Sequence, residues 1–386
     1  MTCDASQPLR ICFPIADRSR EVGGSHISAM TLIQNLDRSR FDPRIILIGE
    51  TGRVDLLARN SGQSPERILP GISKKPTLLS SVRIVREAAR VLSSGKFDVV
   101  HTNEGRMHAL WGLAARMSGV AQVWHHRGNP EARGLRFLAP LTANKVISVS
   151  RFAAPKPSSY SAATRCTVIH SPFDLDIAST SRAEGRRKIQ DELSLADESM
   201  LVGFFGHFSD RKRPLKFVET IAAARRAAPE IPIQGLMFGE EHDPGLQKQI
   251  EQMISRLGLK RHIHIMGFRK PGETWLAGCD ALLVPAIDEP FGRTLIEAML
   301  VGTPVVAAAS GGNIEAIEDR CTGLLATADD PNALARALLS ILRYPTLADT
   351  IRSNAKDHAL TNFGIEAHVR QVEAIYGRIA AERTGR

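Results

Sequence analysis

Short apolar runs alternate with amphipathic stretches along nearly the whole chain, and this alternation limits the available folds more than any other feature. Residues 9–15, 44–48, 99–101, 122–125, 145–150 and 166–169 read as strands. Residues 26–38, 79–94 and 107–118 read as helices between them. A turn at Ser171-Pro172-Phe173-Asp174 and a polar helical run over 181–193 follow, and then the pattern restarts. Its second set of strands falls at 200–206, 234–238, 263–266, 281–284 and 304–307, with a helical segment over 364–386 at the end. Runs that are apolar throughout, not at every second residue, suit parallel strands buried on both faces. At 386 residues the chain has room for two such sheets. The expectation is an α/β protein of two doubly wound, Rossmann-like domains facing a central cleft. Domain limits of 1–175 and 176–363 follow, with 364–386 as a terminal helix.

Composition narrows the function classes. A hydrophobic content of 43% and a charged content of 24% are ordinary for a globular protein in water. Aromatic residues make up only 5%, too few for a stacking surface on single-stranded nucleic acid. No helix-turn-helix, zinc or RNP-like pattern occurs, so no nucleic-acid partner is expected. The net charge of +9 reflects basic residues scattered through the chain, but it also suits an anionic ligand or an anionic membrane surface. The basic amphipathic run over 81–92 is of the kind that usually packs on its own sheet; peripheral membrane contact is its alternative use. Five widely spaced cysteines without a C-x-x-C pair suggest reduced thiols in the cytoplasm. The apolar run at 9–16 is short and broken by Arg10, unlike a secretory signal. No run is long enough for a membrane span. Twelve histidines show no metal-ligand spacing, so no metal is expected.

One stretch carries more chemistry than the rest: Glu289-Pro290-Phe291-Gly292-Arg293-Thr294-Leu295-Ile296-Glu297-Ala298-Met299. Pro290 and Gly292 punctuate a loop, and residues 294–300 are good helix formers. A helix start presents unpaired N–H groups and a positive dipole end, where a pyrophosphate can sit. Glu289 falls before the helix and Glu297 about one turn inside it. Two isolated glutamates would ordinarily be solvated surface residues. Here Gly302-Thr303-Pro304-Val305-Val306-Ala307 and Gly311-Gly312-Asn313-Ile314-Glu315 follow in order. The series resembles the donor-site signature of the family 4 glycosyltransferases, retaining enzymes of the GT-B fold.

The resemblance implies a role for each matching residue. Glu289 would orient and stabilise the donor sugar, Glu297 would bind the ribose, and Phe291, Gly292, Arg293, Thr294 and Leu295 would surround the diphosphate. Gly206-His207-Phe208-Ser209-Asp210-Arg211-Lys212-Arg213 matches a segment that usually carries Gly-Arg followed by Lys. Lys212 keeps the lysine. His207 stands where the arginine is usual, and a neutral imidazole supplies one donor and no full charge; Arg211 or Arg213 could compensate. Gly23 and Gly24, in the loop after the first strand, would face the diphosphate and acceptor. In Val123-Trp124-His125-His126-Arg127-Gly128, His126 or Arg127 would contact the sugar, while His125 could point into the core. The backbone around Gly267-Phe268-Arg269 would read the base. Val99-Val100-His101-Thr102-Asn103-Glu104 resembles a cleft-lining strand end, and residues 168–174 the interdomain hinge. The terminal helix would cross back to the first domain.

The implied function is retaining transfer of a sugar from a nucleoside-diphosphate sugar to a saccharide or lipid-linked acceptor. The setting would be bacterial polysaccharide or glycolipid synthesis, in the cytoplasm or on the inner face of the plasma membrane. No cofactor and no divalent metal would be needed. The acceptor would meet the variable stretches 51–78 and 128–142, whose Arg53, Arg67, Lys74, Lys75, Arg133 and Arg136 suit an acidic or phosphorylated group. Two other classes keep the fold: an epimerase or hydrolase of nucleotide sugars, and a non-catalytic nucleotide-sugar-binding protein.

Overall fold

Neighbouring residues of the central strands enter different cores, which is the physical meaning of the unbroken apolar runs. In β1 (Leu9–Ala16), Ile11, Phe13 and Ile15 join one buried cluster while Cys12 and Ala16 join another. The computed structural model describes residues 7–17, 22–49, 51–67 and 77–384. The chain divides into two units, Met1–Pro172 with Ile365–Arg386, and Phe173–Gly364.

The first unit adds β2 (Phe41–Ile48), β3 (Glu66–Arg67), β4 (Val99–Thr102), β5 (Ala121–His126), β6 (Lys145–Ser148) and β7 (Cys166–Val168). The strands lie in the order β3-β2-β1-β4-β5-β6-β7, and every pairing is parallel. The helix Leu78–Ser94 starts at Thr77, whose hydroxyl accepts from Ser80 N at 3.2 Å. Ile84, Val85, Ala88 and Leu92 bury its apolar face against Cys12, Ile46 and Val100. That face therefore belongs to the unit's own core. Arg83, Arg86 and Arg90 remain exposed on the other side.

The last helix, Ile365–Thr384, packs in the first unit as well. Val369, Val372, Ile375, Tyr376 and Ile379 share a core with Ile11, Phe13 and Ile147. Burying each such side chain contributes about 1.5–3 kcal/mol.

The second unit holds β8 (Met200–Phe205), β9 (Ile233–Phe238), β10 (Ile263–Gly267), β11 (Ala281–Val284), β12 (Val305–Ala308) and β13 (Leu324–Ala326). Their order is β10-β9-β8-β11-β12-β13, again all parallel. Val202 and Phe204 face the helices Pro214–Ala227 and Pro331–Arg343, and Leu201 faces Ile189 of the helix Arg182–Leu193. In both sheets the strand order reverses beside the first strand of the unit, between β1 and β4 and between β8 and β11. Loops at the carboxyl ends of strands on either side of such a reversal diverge, which opens a crevice for ligands.

The short edge strands β3 and β13 were not expected from the sequence, and three further stretches differ from its reading. The first helix runs from Gly24 to Asn35, not 26–38. It stops because Asp37 turns the chain, its carboxylate accepting from Ser39 N at 2.9 Å and Ser39 Oγ at 2.6 Å. The stretch 51–78 is not all loop. Asp17 accepts from Gly52 N (2.9 Å) and Val54 N (3.2 Å), anchoring a helix over Arg53–Asn60 whose Val54 and Ala58 are buried. The stretch 128–142 contains a π-helical turn, Gly134–Leu138, and a helical turn, Ala139–Thr142. Lys74 and Lys75 lie outside the described residues. Among the described residues, Cys12, Cys166, Cys279 and Cys321 are free thiols, and no helix is long and apolar enough to cross a membrane.

Candidate active site

The strand reversal of the second unit brings together the loops after β8 and β11. The turn Asp210–Lys212 follows β8 and is held in several places. Asp210 N donates to Asp243 Oδ2 at 2.8 Å, Lys212 N donates to Ser209 O at 3.0 Å, and Ile287 N donates to Arg211 O at 3.2 Å. That last bond ties the turn to the loop carrying Glu289. Lys212 Nζ donates to Glu289 Oε2 at 2.9 Å, and Arg211 Nη1 donates to the same oxygen. Glu289 is buried, its side chain 9% exposed, and Lys212 retains 19% of its surface.

A carboxylate in such a place would ordinarily resist ionisation. Burial does push the Glu289 pKa up, but Lys212 and Arg211 more than reverse that and hold it below the usual carboxylate value. Glu289 is therefore a fixed negative charge beside two positive ones.

The loop's shape comes from a second turn. Gly312 N donates to Glu289 O at 2.7 Å. Gly311 has φ +57°, and a Cβ there would fall 2.7 Å from both Glu289 N and Glu289 O. Asn313, fully buried, donates through Nδ2 to Ala286 O (3.3 Å) and Ala308 O (3.0 Å). Ser310 Oγ accepts from Asp288 N at 3.0 Å, where Asp288 itself has φ +50°. The Gly-Gly-Asn stretch thus sets the backbone that presents Glu289. Ser310 and Asn313 carry parts of this cluster that the sequence reading had not assigned, and the polar Ser-Gly-Gly-Asn run was their signal; Arg211, named there with Arg213 as an alternative to the usual arginine at position 207, is found on Glu289.

The helix Arg293–Val301 begins directly after Gly292, with no side-chain cap at its start. A small cavity beside it is lined by Lys212, Glu289, Gly292, Thr294 and Leu295. Phe291 is buried, its ring 5.6 Å from that of Phe363, so it anchors the loop from behind. The guanidinium of Arg293 lies 4.4 Å from the Phe173 ring and donates through Nη2 to Glu297 Oε1 at 3.4 Å. Burial pushes the Glu297 pKa up, with Arg293 opposing and Glu273 adding to the rise. His207 is exposed and its ring faces His242, 5.8 Å away between centroids. Phe268, 57% exposed, follows β10 with Lys270 Nζ 5.7 Å from its ring.

The first unit repeats the pattern at its own reversal. Gly23 precedes the helix Gly24–Asn35, and its N–H donates to His26 Nδ1 at 3.0 Å. His26 Nε2 lies 3.4 Å from Glu104 Oε2, and Glu104 Oε1 accepts from Ala16 N at 2.8 Å. His26 and Glu104 were not assigned roles from sequence, because only the pairing of β1 with β4 brings them together. At the end of β5, His126 is buried with Nε2 3.0 Å from Asn129 O, and burial lowers its pKa. Arg127 donates to Ser171 Oγ at 2.9 Å and lies 3.4 Å from His125 Nδ1. His125 points into the core, next to His101 at 3.1 Å, and His101 Nδ1 is 2.5 Å from Tyr376 Oη of the last helix.

With this geometry in hand, likeness to known proteins becomes informative. Residues 185–358 match the model of glycosyl transferases group 1, and residues 22–177 that of glycosyltransferase family 4. The chain belongs to this glycosyltransferase family. A D-inositol 3-phosphate glycosyltransferase of Salinispora tropica is 26% identical over 78% of this chain and 68% of that protein. The corresponding protein of Corynebacterium glutamicum is 27% identical over 55% of this chain and 51% of its own length, so the match takes in only about half of it. Among solved structures, Anabaena HepE in complex with UDP has a TM-score of 0.81 at 23% identity, covering 96% of this chain and 100% of that one. The same protein has been solved with UDP-glucose, at a TM-score of 0.79. At that identity the likeness establishes the GT-B fold of this family member.

Proposed function

We propose that this glycosyltransferase moves a sugar from a nucleoside-diphosphate sugar to a saccharide or lipid-linked acceptor, with retention of anomeric configuration and without a divalent metal. The observation that carries the proposal is the Arg211–Glu289–Lys212 cluster at the strand reversal of the second unit, beside an uncapped helix start. Its positive members and the helix end suit a diphosphate. Its buried carboxylate suits sugar hydroxyls and the positive charge that develops on the sugar ring. The complexes of Anabaena HepE with UDP and UDP-glucose support a donor of this class.

In the proposed reaction the acceptor hydroxyl oxygen bonds to the anomeric carbon on the face from which the diphosphate departs. The carbon–oxygen bond to the diphosphate breaks and its electron pair leaves with the phosphate, which takes the hydroxyl proton. Lys212 stabilises that leaving charge. Glu297 is proposed to hold the ribose, and the backbone near Phe268 to meet the base. Gly23, His126 and Arg127 of the first unit are proposed to meet the acceptor and the sugar.

An acidic acceptor is proposed from the exposed Arg53, Arg133 and Arg136. Peripheral contact with anionic lipid is proposed for the start of the helix Leu78–Ser94, where Leu79 is 84% exposed beside Arg83 and Arg86; co-sedimentation with anionic vesicles tests it. The proposed setting is polysaccharide or glycolipid synthesis.

The test is product analysis. Incubation with UDP-, GDP- and ADP-sugars and glycan or glycolipid acceptors, in the presence of EDTA, should yield an axial glycoside from an axial donor. An inverted product would refute retention, and loss of turnover in EDTA would refute metal independence. Free sugar or an epimerised donor as the sole product would identify a hydrolase or epimerase instead.

A further inference from the structure

Resting on the donor site proposed above, we infer that Arg211 is the second cation that holds the donor's diphosphate, the role that sequence resemblance would place at His207. A nucleoside diphosphate carries two to three negative charges, and a single lysine balances only part of them. Four basic side chains lie between residues 207 and 213, in the segment that follows β8: His207, Arg211, Lys212 and Arg213. The structure separates them. Arg213, whose backbone is left-handed at φ +56°, points its guanidinium to Asp329, with Nη2 3.2 Å from Oδ2. His207 turns toward His242. Only Arg211 and Lys212 converge on Glu289, at the same oxygen.

The surroundings of Arg211 suit a ligand-binding group. Its backbone is fixed to the Glu289 loop through Ile287 N, while its side chain is 46% exposed. Glu289 is its only side-chain hydrogen-bond acceptor among the described residues. A guanidinium carries five N–H donors in a rigid fork that matches phosphate oxygens two at a time. One donor can stay with Glu289 while others take phosphate. Arg211 thereby links the two charges of opposite sign that the reaction develops, the sugar's through Glu289 and the diphosphate's directly. The chain supplies this cation from four residues further along than the usual arginine, so the His207 departure leaves the charge of the site intact.

The test compares binding of UDP, GDP and ADP, and of the corresponding nucleosides, to the wild-type protein and to Arg211→Met, Arg211→Lys, His207→Ala and the double variant His207→Arg/Arg211→Met. Calorimetry at two salt concentrations is the readout. For whichever diphosphate the wild type binds, Arg211→Met should weaken binding about tenfold or more and flatten the salt dependence, while leaving the matching nucleoside's affinity unchanged. Arg211→Lys should fall between, since an ammonium keeps the charge but not the fork. His207→Ala should bind more tightly than Arg211→Met, and the double variant should recover part of the loss. Equal weakening of nucleoside and diphosphate would show that Arg211 only shapes the loop, and would overturn the inference. Undiminished diphosphate binding by Arg211→Met would also overturn it while leaving the donor site standing. If the wild type bound none of the three diphosphates, the donor site and this inference would fall together.

Discussion

Replacing Glu289 by glutamine separates the roles of its charge and its shape. The amide keeps the volume and one carbonyl oxygen, but the charge shared by Lys212 and Arg211 is gone. A hydrogen bond to a charged group contributes about 1.5–3 kcal/mol. The Arg211 half of the cluster is nearly half exposed, so water screens it, and it is worth closer to the ~0.5 kcal/mol of a surface pair. The Lys212 half is mostly buried and keeps more of its value. A loss of about 2 kcal/mol is the result, and for a unit of this size that lowers the unfolding midpoint by roughly 4–8 °C.

Catalysis should suffer far more. Removing a preorganised charge next to a reacting centre typically costs about 10²–10³ in turnover. Nucleoside-diphosphate affinity, in contrast, should hold or rise, because the two cations no longer share themselves with a carboxylate. Differential scanning fluorimetry, release of nucleoside diphosphate followed by chromatography, and calorimetry read the three effects separately. Turnover of Glu289→Gln within twofold of wild type would refute the role given to Glu289, whatever happened to stability.

Lys212→Ala should weaken nucleoside-diphosphate binding about tenfold and slow transfer; unchanged affinity and rate in calorimetry and initial-rate assays would remove Lys212 from the site. Gly311→Ala touches no ligand, yet its left-handed φ and the 2.7 Å approach to the Glu289 backbone should cost about 1–3 kcal/mol and lower turnover as the loop shifts. Wild-type melting and rates in that variant would contradict the account of the turn. Burial lowers the pKa values of His101 and His125, and pushes that of His368 down to about 4. A depressed histidine stays neutral when folded but takes a proton when unfolded, so its stabilising effect is present above pH ~6.5 and lost as pH falls toward the folded value. Between pH 7.5 and pH 5 His368 should withdraw up to about 2 kcal/mol, and His368→Gln should flatten the pH dependence of the melting temperature.

Much of this was legible in the order of residues, for reasons that differ from part to part. The strands could be read because parallel sheets covered on both sides need unbroken apolar runs. Lys212 and Glu289 were singled out because their segments resemble the donor-site signature of family 4 glycosyltransferases, and the fold puts the two side chains 2.9 Å apart. What could not be read depends on closeness without sequence proximity. Arg211 meets Glu289 across 78 residues. Glu104 meets Ala16 across 88. Tyr376 reaches His101 across 275. Each contact exists only because strand order brings two loops or a distant helix together, and side-chain type alone does not announce it. The helix at Arg53–Asn60 escaped notice for a related reason: its anchor is Asp17, on another loop.

The claim on which the rest stands is that the second unit binds a nucleoside diphosphate at Glu289 and Lys212. It is tested most directly by thermal unfolding of the wild-type protein with UDP, GDP, ADP, CMP and their common sugar conjugates. A ligand at 100 times its dissociation constant adds about 2.7 kcal/mol, which for a unit of this size is a rise of roughly 5–10 °C. The account predicts such a rise with one nucleoside diphosphate and its sugar, and its reduction in Lys212→Ala. No rise with any of them, or an equal rise in Lys212→Ala, would contradict it.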